Sequence, residues 1–466
     1  MFARRILTLA VVALAVAGCA SVPATKSSSA MTEREASALA DRVKSETRHA
    51  WQGYVKYAWG HDALKPLTRA PHDWYGPSLL MTPVDALDTL LMMGLNDEAK
   101  AARELIVAKL SFDHDVDVQV FEVTIRLLGG LITGYQMTHD ARLLALADDL
   151  GRRLMPAFKS KTGLPYRYVN LKTGAVRDGI SNPAETGTLL LEFGMLAKLT
   201  GKPEYYDAAK RALVETYNRR SPIGLVGSQI DVETGAWTNT SAHIGGGIDS
   251  YYEYLYKCWR LFGDADCKRM WDDSIGPVNR YLADEVRGGE LWYGRADMNT
   301  GQRTVTRYGA LDAFMPALLA LSGDVDRAAR LQTSGLAMWR AHGIEPDAYD
   351  YAAQKVLRPT YPLRPEIVES AYYLHRLTGR PEYRAMGKEM FEDFVRWCRT
   401  EDGYAALKDV TTKERDDAME SFVFAETFKY FWLLFAPRAA FDFDAATFNT
   451  EAHPLLPAGG GAYGKR

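Results

Sequence analysis

Two kinds of helical pattern alternate along the chain. One is apolar nearly all round, as in ETGTLLLEFGML at residues 185–196, and such a helix must be buried on every side. The other is amphipathic, as in PEYRAMGKEMFEDFVRWC at residues 381–398. Each all-apolar run closes on a helix stop, usually glycine, followed by an acidic or proline-containing start to the next helix. The stops fall at Gly94, His139, Gly201, Gly263, Gly323 and Gly379, and a seventh apolar run ends at Pro437. Their spacing, roughly sixty residues, leaves room for two helices with connecting loops. Units that cannot bury their own faces must stack on one another. The apolar members suit an inner ring and the amphipathic ones an outer ring. The fold expected is therefore all-α, an (αα)7 barrel or toroid. GLPYRYVNLKTG, SQIDVETGAW and LWYGRADMNTG carry turn residues between alternating segments, and read as short decorating β-hairpins. No βαβ series is present, which argues against a parallel barrel.

Charges interrupt the apolar runs. VFEVTIRLLGG at residues 120–130 holds Glu122 and Arg126 one helical turn apart. Burying both is unfavourable unless they are paired or used. The other inner runs also carry acids: Asp85 and Asp88, Glu185 and Glu192, Asp249 and Glu253, Asp312, Glu366 and Glu369, and Glu426. In a closed ring the starts of the inner helices converge, so these acids are expected to line one cavity. Crowded carboxylates push their pKa values apart and divide into acid and base roles. Glycosidic bond cleavage requires that division. Clustered oxygens also suit a hard cation such as calcium.

Composition narrows the classes. Among 466 residues, 47% are hydrophobic and 25% charged, which is ordinary for a folded chain. The net charge of −3 offers no basic footprint for nucleic acid. The 9 histidines include no H-x-x-x-H pair, and the 4 cysteines have no metal spacing, so zinc is not indicated. Neither a P-loop nor a dinucleotide-binding glycine pattern stands in a βα context. Aromatics are abundant, with 10 Trp, 25 Tyr and 17 Phe; a large core accounts for most of them, and some could serve as sugar platforms.

The N-terminus MFARRILTLAVVALAVAGCA has the charged, apolar and small-residue regions of an export signal. Val16-Ala17-Gly18-Cys19 resembles the bacterial lipobox, whose cysteine is lipidated; a plain secretory peptide is the alternative. The expected organisation is a signal peptide at 1–18, a tether at 19–32, one catalytic barrel at 33–456 and a tail at 457–466. Localisation would be the bacterial cell envelope, at a periplasmic or outer-membrane face, attached to the membrane by an N-terminal lipid on Cys19. Ala20 gives no inner-membrane retention signal of the aspartate kind. Cys258 and Cys267 are near enough to pair in an oxidising compartment, although three buried thiols, with Cys398, are an equal option.

VFEVTIRLLGGL, GIDSYYEYL, LRPEIVES, SFVFAETFKYFWLLF and FNTEAHP occur in that order. Together they resemble glycoside hydrolase family 47, the class I α-1,2-mannosidases. DALDTLLMMGL, GLPYRYVNL and LEFGMLAKLTG fit as well, and the resemblance runs from about Ala50 to Pro454. It implies an (αα)7 barrel and a monomeric, calcium-dependent, inverting exo-α-1,2-mannosidase acting on mannose-rich glycans. It implies that Glu122 and Asp249 share the proton-donor assignment and that Glu366 is the base activating water. It places Ca2+ on Thr450, Phe422 under the sugar, and Arg126, Arg364, Glu185, Glu192, Glu369, Glu426 and Glu451 around the sugar and the ion's water shell. Two departures stand out: Gly247, where many relatives carry arginine, and Gly309-Ala310, where they carry Asp-His. Both fall where neighbouring sugars would bind. A non-catalytic mannose-glycan-binding lipoprotein is the alternative function.

Overall fold

The computed structural model describes residues 31–457. The leader with Cys19, most of the expected tether and nearly all of the tail lie outside the described residues. Helix α1 (Glu33–Ala58) opens on a capping box: Thr32 accepts from the Glu35 N–H, and the Glu35 carboxylate accepts from the Thr32 N–H at 2.8 Å. Six helical hairpins follow. They pair α2 (Met81–Met92) with α3 (Asn96–Lys109), α4 (120–138) with α5 (Ala141–Leu154), and α6 (183–200) with α7 (Pro203–Asn218). Next come α8 (Asp249–Phe262) with α9 (Ala265–Tyr281), α10 (310–321) with α11 (Val325–His342), and α12 (Glu366–Thr378) with α13 (Glu382–Cys398). The last inner helix, α14 (423–435), packs on α1, so the two ends of the chain supply the seventh pair.

Each even-numbered helix packs against the next one in the series, and α14 returns to α2. The inner ring is thus closed, as the all-apolar patterning requires: α6, α8 and α12 are buried along most of their length. The outer helices bury one stripe each. The helix stops sit where the turns of the sequence put them, with His139, Gly201, Gly263 and Gly379 all in the left-handed conformation that ends a helix. Inner-to-outer turns are short, whereas outer-to-inner connections are long and carry the strands. The three hairpins read from the sequence are present among these short antiparallel pairs.

Two inner helices contain a π-helical turn, at Thr124–Leu128 in α4 and Val423–Phe428 in α14. Such turns re-aim side chains and recur at functional sites; here they carry Arg126 and Glu426. Cys258 and Cys267 form a disulfide across the α8–α9 turn, and Cys398 remains a buried thiol. No helix among the described residues is long and apolar enough to cross a membrane.

Candidate active site

Glu122, Glu185, Asp249 and Glu366 all lie in the first turn of an inner helix. Those first turns meet at the end of the barrel bearing the long connections. A cavity of about 350 Å³ opens there. Its wall includes Glu122, Arg126, Glu185, Asp249, Glu253, Arg364, Glu366, Glu369, Glu426, Thr450 and Glu451. Side chains separated by more than 300 residues along the chain thus share one space.

Arg126 answers for its own burial. Its Nε donates to Glu122 Oε2 at 3.0 Å, and its Nη1 is ion-paired with Glu451 and lies 3.7 Å from Asp85. The guanidinium also faces the rings of Trp74 and Phe422, at 5.3 and 5.7 Å. Arg364 faces Phe422 from another direction, at 5.7 Å. Phe422 is 7% exposed and stands between these two cations rather than on the cavity wall.

Opposite, Glu185 is gripped by Arg167 at 2.6 and 3.0 Å, by Gln119 at 2.9 Å and by Ser181 at 3.1 Å. Glu253 is ion-paired with the buried Lys257, and Tyr430 donates to Glu369 at 3.2 Å. Glu366 is different: its buried Oε2 has no protein partner. A buried acceptor facing a cavity without a donor is a seat for water or a sugar hydroxyl.

The hairpin Thr447–Phe448/Pro454–Leu455 enters from the end with the short turns and forms the floor. Asn449 donates to the Ile125 carbonyl at 2.9 Å and to Glu192 at 2.8 Å. Tyr254 donates to the same Glu192 oxygen at 2.5 Å and accepts from the Thr450 N–H at 3.3 Å. His453 lies between Asp88, 2.7 Å from Nδ1, and Asp85, 3.2 Å from Nε2. Lys429 joins Asp88 at 2.9 Å to the Ala452 carbonyl at 2.6 Å. The Gly129-Gly130 pair explains itself here. A Cβ on Gly129 would come within 2.7 Å of Asn449 and 2.9 Å of His453.

Four of the inner-helix acids do not reach the cavity wall as the sequence suggests. Asp85, Asp88 and Glu192 are fully buried and spent on holding the floor hairpin. Asp312 accepts the Gly309 N–H at 2.9 Å behind the wall. Asp85, Asp88 and Glu192 face donors that only the folded chain supplies, whereas Asp312 caps its own turn. Sequence reasoning also passed over Arg167, Lys429, Asn449 and His453. Lys429 carries the same signal as Arg126, a cation within the apolar run FVFAETFKYFWLLF.

Five carboxyls in the wall, Asp249, Glu366, Glu369, Glu426 and Glu451, are held above their ordinary values. Burial, then Glu253, Asp312 and Glu366, push Asp249 up to about 7. Burial raises Glu366 against the pull of Arg364. Burial drives Glu369 and Glu451 up to about 8, although Lys257 and Arg126 respectively oppose it. Glu426 is pushed up by burial and by Glu451, Glu366 and Glu369. Burial, joined by mutual crowding, thus disfavours charge on these carboxyls, a cost that a cation bound among them would offset. All the floor's donors are oxygen or amide groups, and neither histidine nor cysteine lines the cavity. That donor set fits a hard divalent cation. The Cys258, Asp264 and Cys267 cluster elsewhere does not, because its sulfurs are joined to each other.

A closed barrel with acids converging over an oxygen-lined floor defines a carbohydrate-cleaving α/α barrel. The chain belongs to glycosyl hydrolase family 47, whose profile matches residues 46–456, and it is a glycoside hydrolase. It is 37% identical to ER degradation-enhancing alpha-mannosidase-like protein 2 of Homo sapiens, over 90% of this chain and 77% of that one. It is 36% identical to mannosyl-oligosaccharide 1,2-alpha-mannosidase IB of Mus musculus, over 89% and 69%. The solved structure of the alpha-1,2-mannosidase from Trichoderma reesei superposes with a TM-score of 0.84 at 28% identity, covering 90% of this chain and 99% of that one.

Proposed function

We propose that this chain is a calcium-dependent, inverting exo-α-1,2-mannosidase that removes terminal mannose from mannose-rich glycans. One observation carries the reading: Glu122, Asp249 and Glu366, from three different inner helices, share a cavity whose floor is Thr450. Relatives named as 1,2-alpha-mannosidases support the substrate class. The cavity has the scale of one or two sugar rings, and the floor hairpin seals the far end. Both features favour trimming a chain end over cutting within a chain.

The geometry supports a division of roles. Asp249, held up to about 7, carries a proton near neutrality and can deliver it to the leaving oxygen. Glu122 is oriented by Arg126. Glu366 offers its unpartnered Oε2 to the attacking water. Inversion needs an acid and a base on opposite faces of the sugar with water between them, and the three acids come from α4, α8 and α12, no two of which are neighbours in the ring. Thr450, with Glu369, Glu426 and Glu451 around its water shell, would hold Ca2+; the ion would bind sugar hydroxyls and polarise the reacting ring.

The leader supports export and lipid attachment at Cys19, and the Cys258–Cys267 disulfide is in keeping with an oxidising compartment. Mass spectrometry of the mature N-terminus tests the anchor; an unmodified Cys19 in a cleaved chain would leave plain secretion.

The function is tested with α-1,2-mannobiose, with and without a chelator, following the anomer released by NMR. β-Mannose that vanishes on chelation supports the reading. Binding without release would make the chain a glycan-binding protein instead.

A further inference from the structure

Arg295 and Arg307 are half-buried on the connection that leads into α10. Among the described residues neither donates a hydrogen bond or meets a carboxylate within 4.0 Å. None of their guanidinium nitrogens is buried without a partner, so these donors reach solvent and are open to a ligand. The two also lie in each other's field and in that of Arg358; burial and these neighbours push the Arg295 pKa down, with Asp312 opposing them. His243 adds no charge to the group, since burial and the same two arginines hold its ring down to about 3.

Sheet register shows how the arginines gather. The strand Arg307–Gly309 pairs with Ala348–Asp350, which pairs with Lys355–Arg358. Gly309 lies opposite Ala348, and Ala348 opposite Arg358. Residues paired across strands, or two apart along one, share a face. Arg307 and Arg358 therefore lie on the face that carries Gly309 and Ala348, with the second ladder bulged between Ala348 and Tyr349. Asp350 shares that face, but Thr306 and the Ala352 and Ala353 amides occupy it at 2.8 to 3.0 Å.

The group borders the cavity. Asp312 stands beside Arg295 and Arg307 on one side and Asp249 on the other, and its neighbours Leu311 and Phe314 line the cavity wall. Asp347 lies 3.5 Å from Arg358 and 3.6 Å from Arg364, itself a wall residue. Nearby, Gly247 lines the wall without a side chain, and a Cβ there would meet Asn182 only at 3.7 Å. An unfilled space and an under-compensated positive group thus lie on the same side of the site.

We propose that Arg295, Arg307 and Arg358 form an anion-accepting patch beside the cavity, so that the preferred glycan carries a phosphomonoester on the sugar next to the mannose removed. This rests on the mannosidase reading. Guanidinium forks match phosphate oxygens in pairs, which neutral sugar hydroxyls do not exploit to the same degree. Charge attraction at a partly buried site also steers an anionic substrate towards the mouth.

The test compares kcat/KM for α-1,2-mannobiose with kcat/KM for the same disaccharide phosphorylated on O6 of its reducing mannose. The wild-type protein is expected to favour the phosphorylated form by about tenfold at low salt, falling as ionic strength rises. The Arg295→Gln/Arg307→Gln double variant is expected to bring that ratio close to one. If it does not fold, Arg358→Gln, which alters an exposed side chain, should lower the ratio severalfold. A wild-type ratio of one, or a ratio unchanged in a folded variant, would overturn the proposal. Failure to cleave either disaccharide falls on the mannosidase reading; calorimetric binding of the two disaccharides would then decide the anion preference by itself.

Discussion

His453 of the floor hairpin lies 2.7 Å from Asp88 of the first inner helix, 365 positions away along the chain. Asp85 takes its other ring nitrogen at 3.2 Å, and Lys429 completes the group at 2.9 Å from Asp88. Two buried acids, a lysine and a histidine therefore anchor the segment that carries Thr450. Burial disfavours a charged ring, but Asp88 and the hydrogen bonds to Asp85 and Asp88 outweigh it and raise His453 to about 9.

That shift makes stability depend on pH in a defined direction. A histidine raised in the folded state stabilises fully below its ordinary value of 6.5 and loses that contribution as pH climbs through about 9. The contribution is on the order of 3 kcal/mol. The midpoint of urea unfolding is expected to fall between pH 7 and pH 10, and the His453→Gln variant to show little of that fall. An equal slope in both proteins would remove His453 from the anchor.

Gly129→Ala is expected to disturb the floor without touching the catalytic acids. The added methyl would press on Asn449 and His453, at a cost of about 1–3 kcal/mol. Calcium affinity measured by titration calorimetry should drop together with the melting temperature. Unchanged metal affinity in a destabilised protein would separate the glycine pair from the floor.

Removing the metal is expected to abolish hydrolysis, with restoration by added Ca2+ and weaker restoration by Mg2+. Crowded oxygen donors suit the larger ion, whereas Mg2+ keeps its water. Thr450→Ala should raise the calcium concentration needed for half-maximal activity by tenfold or more. Activity indifferent to a chelator would rule the ion out of the reaction.

The alkaline limb of kcat/KM should report Asp249. Its carboxyl, held up to about 7 by burial and neighbouring acids, must keep its proton to serve a leaving group. Activity is therefore expected to decline as pH rises through about 7. In Asp249→Asn the rate should fall by at least a hundredfold and the limb should disappear. An unaltered limb would assign the proton to Glu122.

Glu366→Gln is expected to lower kcat by a thousandfold or more while leaving disaccharide binding measurable. The amide keeps the shape of the side chain but cannot accept a proton from water. Loss of binding with retained turnover would contradict the base role.

Much of this was legible in the sequence. The all-apolar runs required an inner ring, and the recurrent stops, from Gly94 to Pro437, counted its seven members. A carboxylate near the start of successive inner runs required a converging cluster. These features are local or periodic, so each segment declares them by itself. Tertiary structure alone decided which acids face the cavity. Asp85 and Asp88 read like Glu122 and Glu185 along the chain, but they are occupied by His453 and Lys429, and Glu192 by Tyr254 and Asn449. A buried carboxylate is structural or available according to whether a donor arrives from elsewhere in the fold. The partnerless Arg295 and Arg307 are the converse case. Nothing in their own segments distinguishes them from the paired surface arginines; only the register of the strands beside them leaves their guanidiniums without a hydrogen-bonded carboxylate.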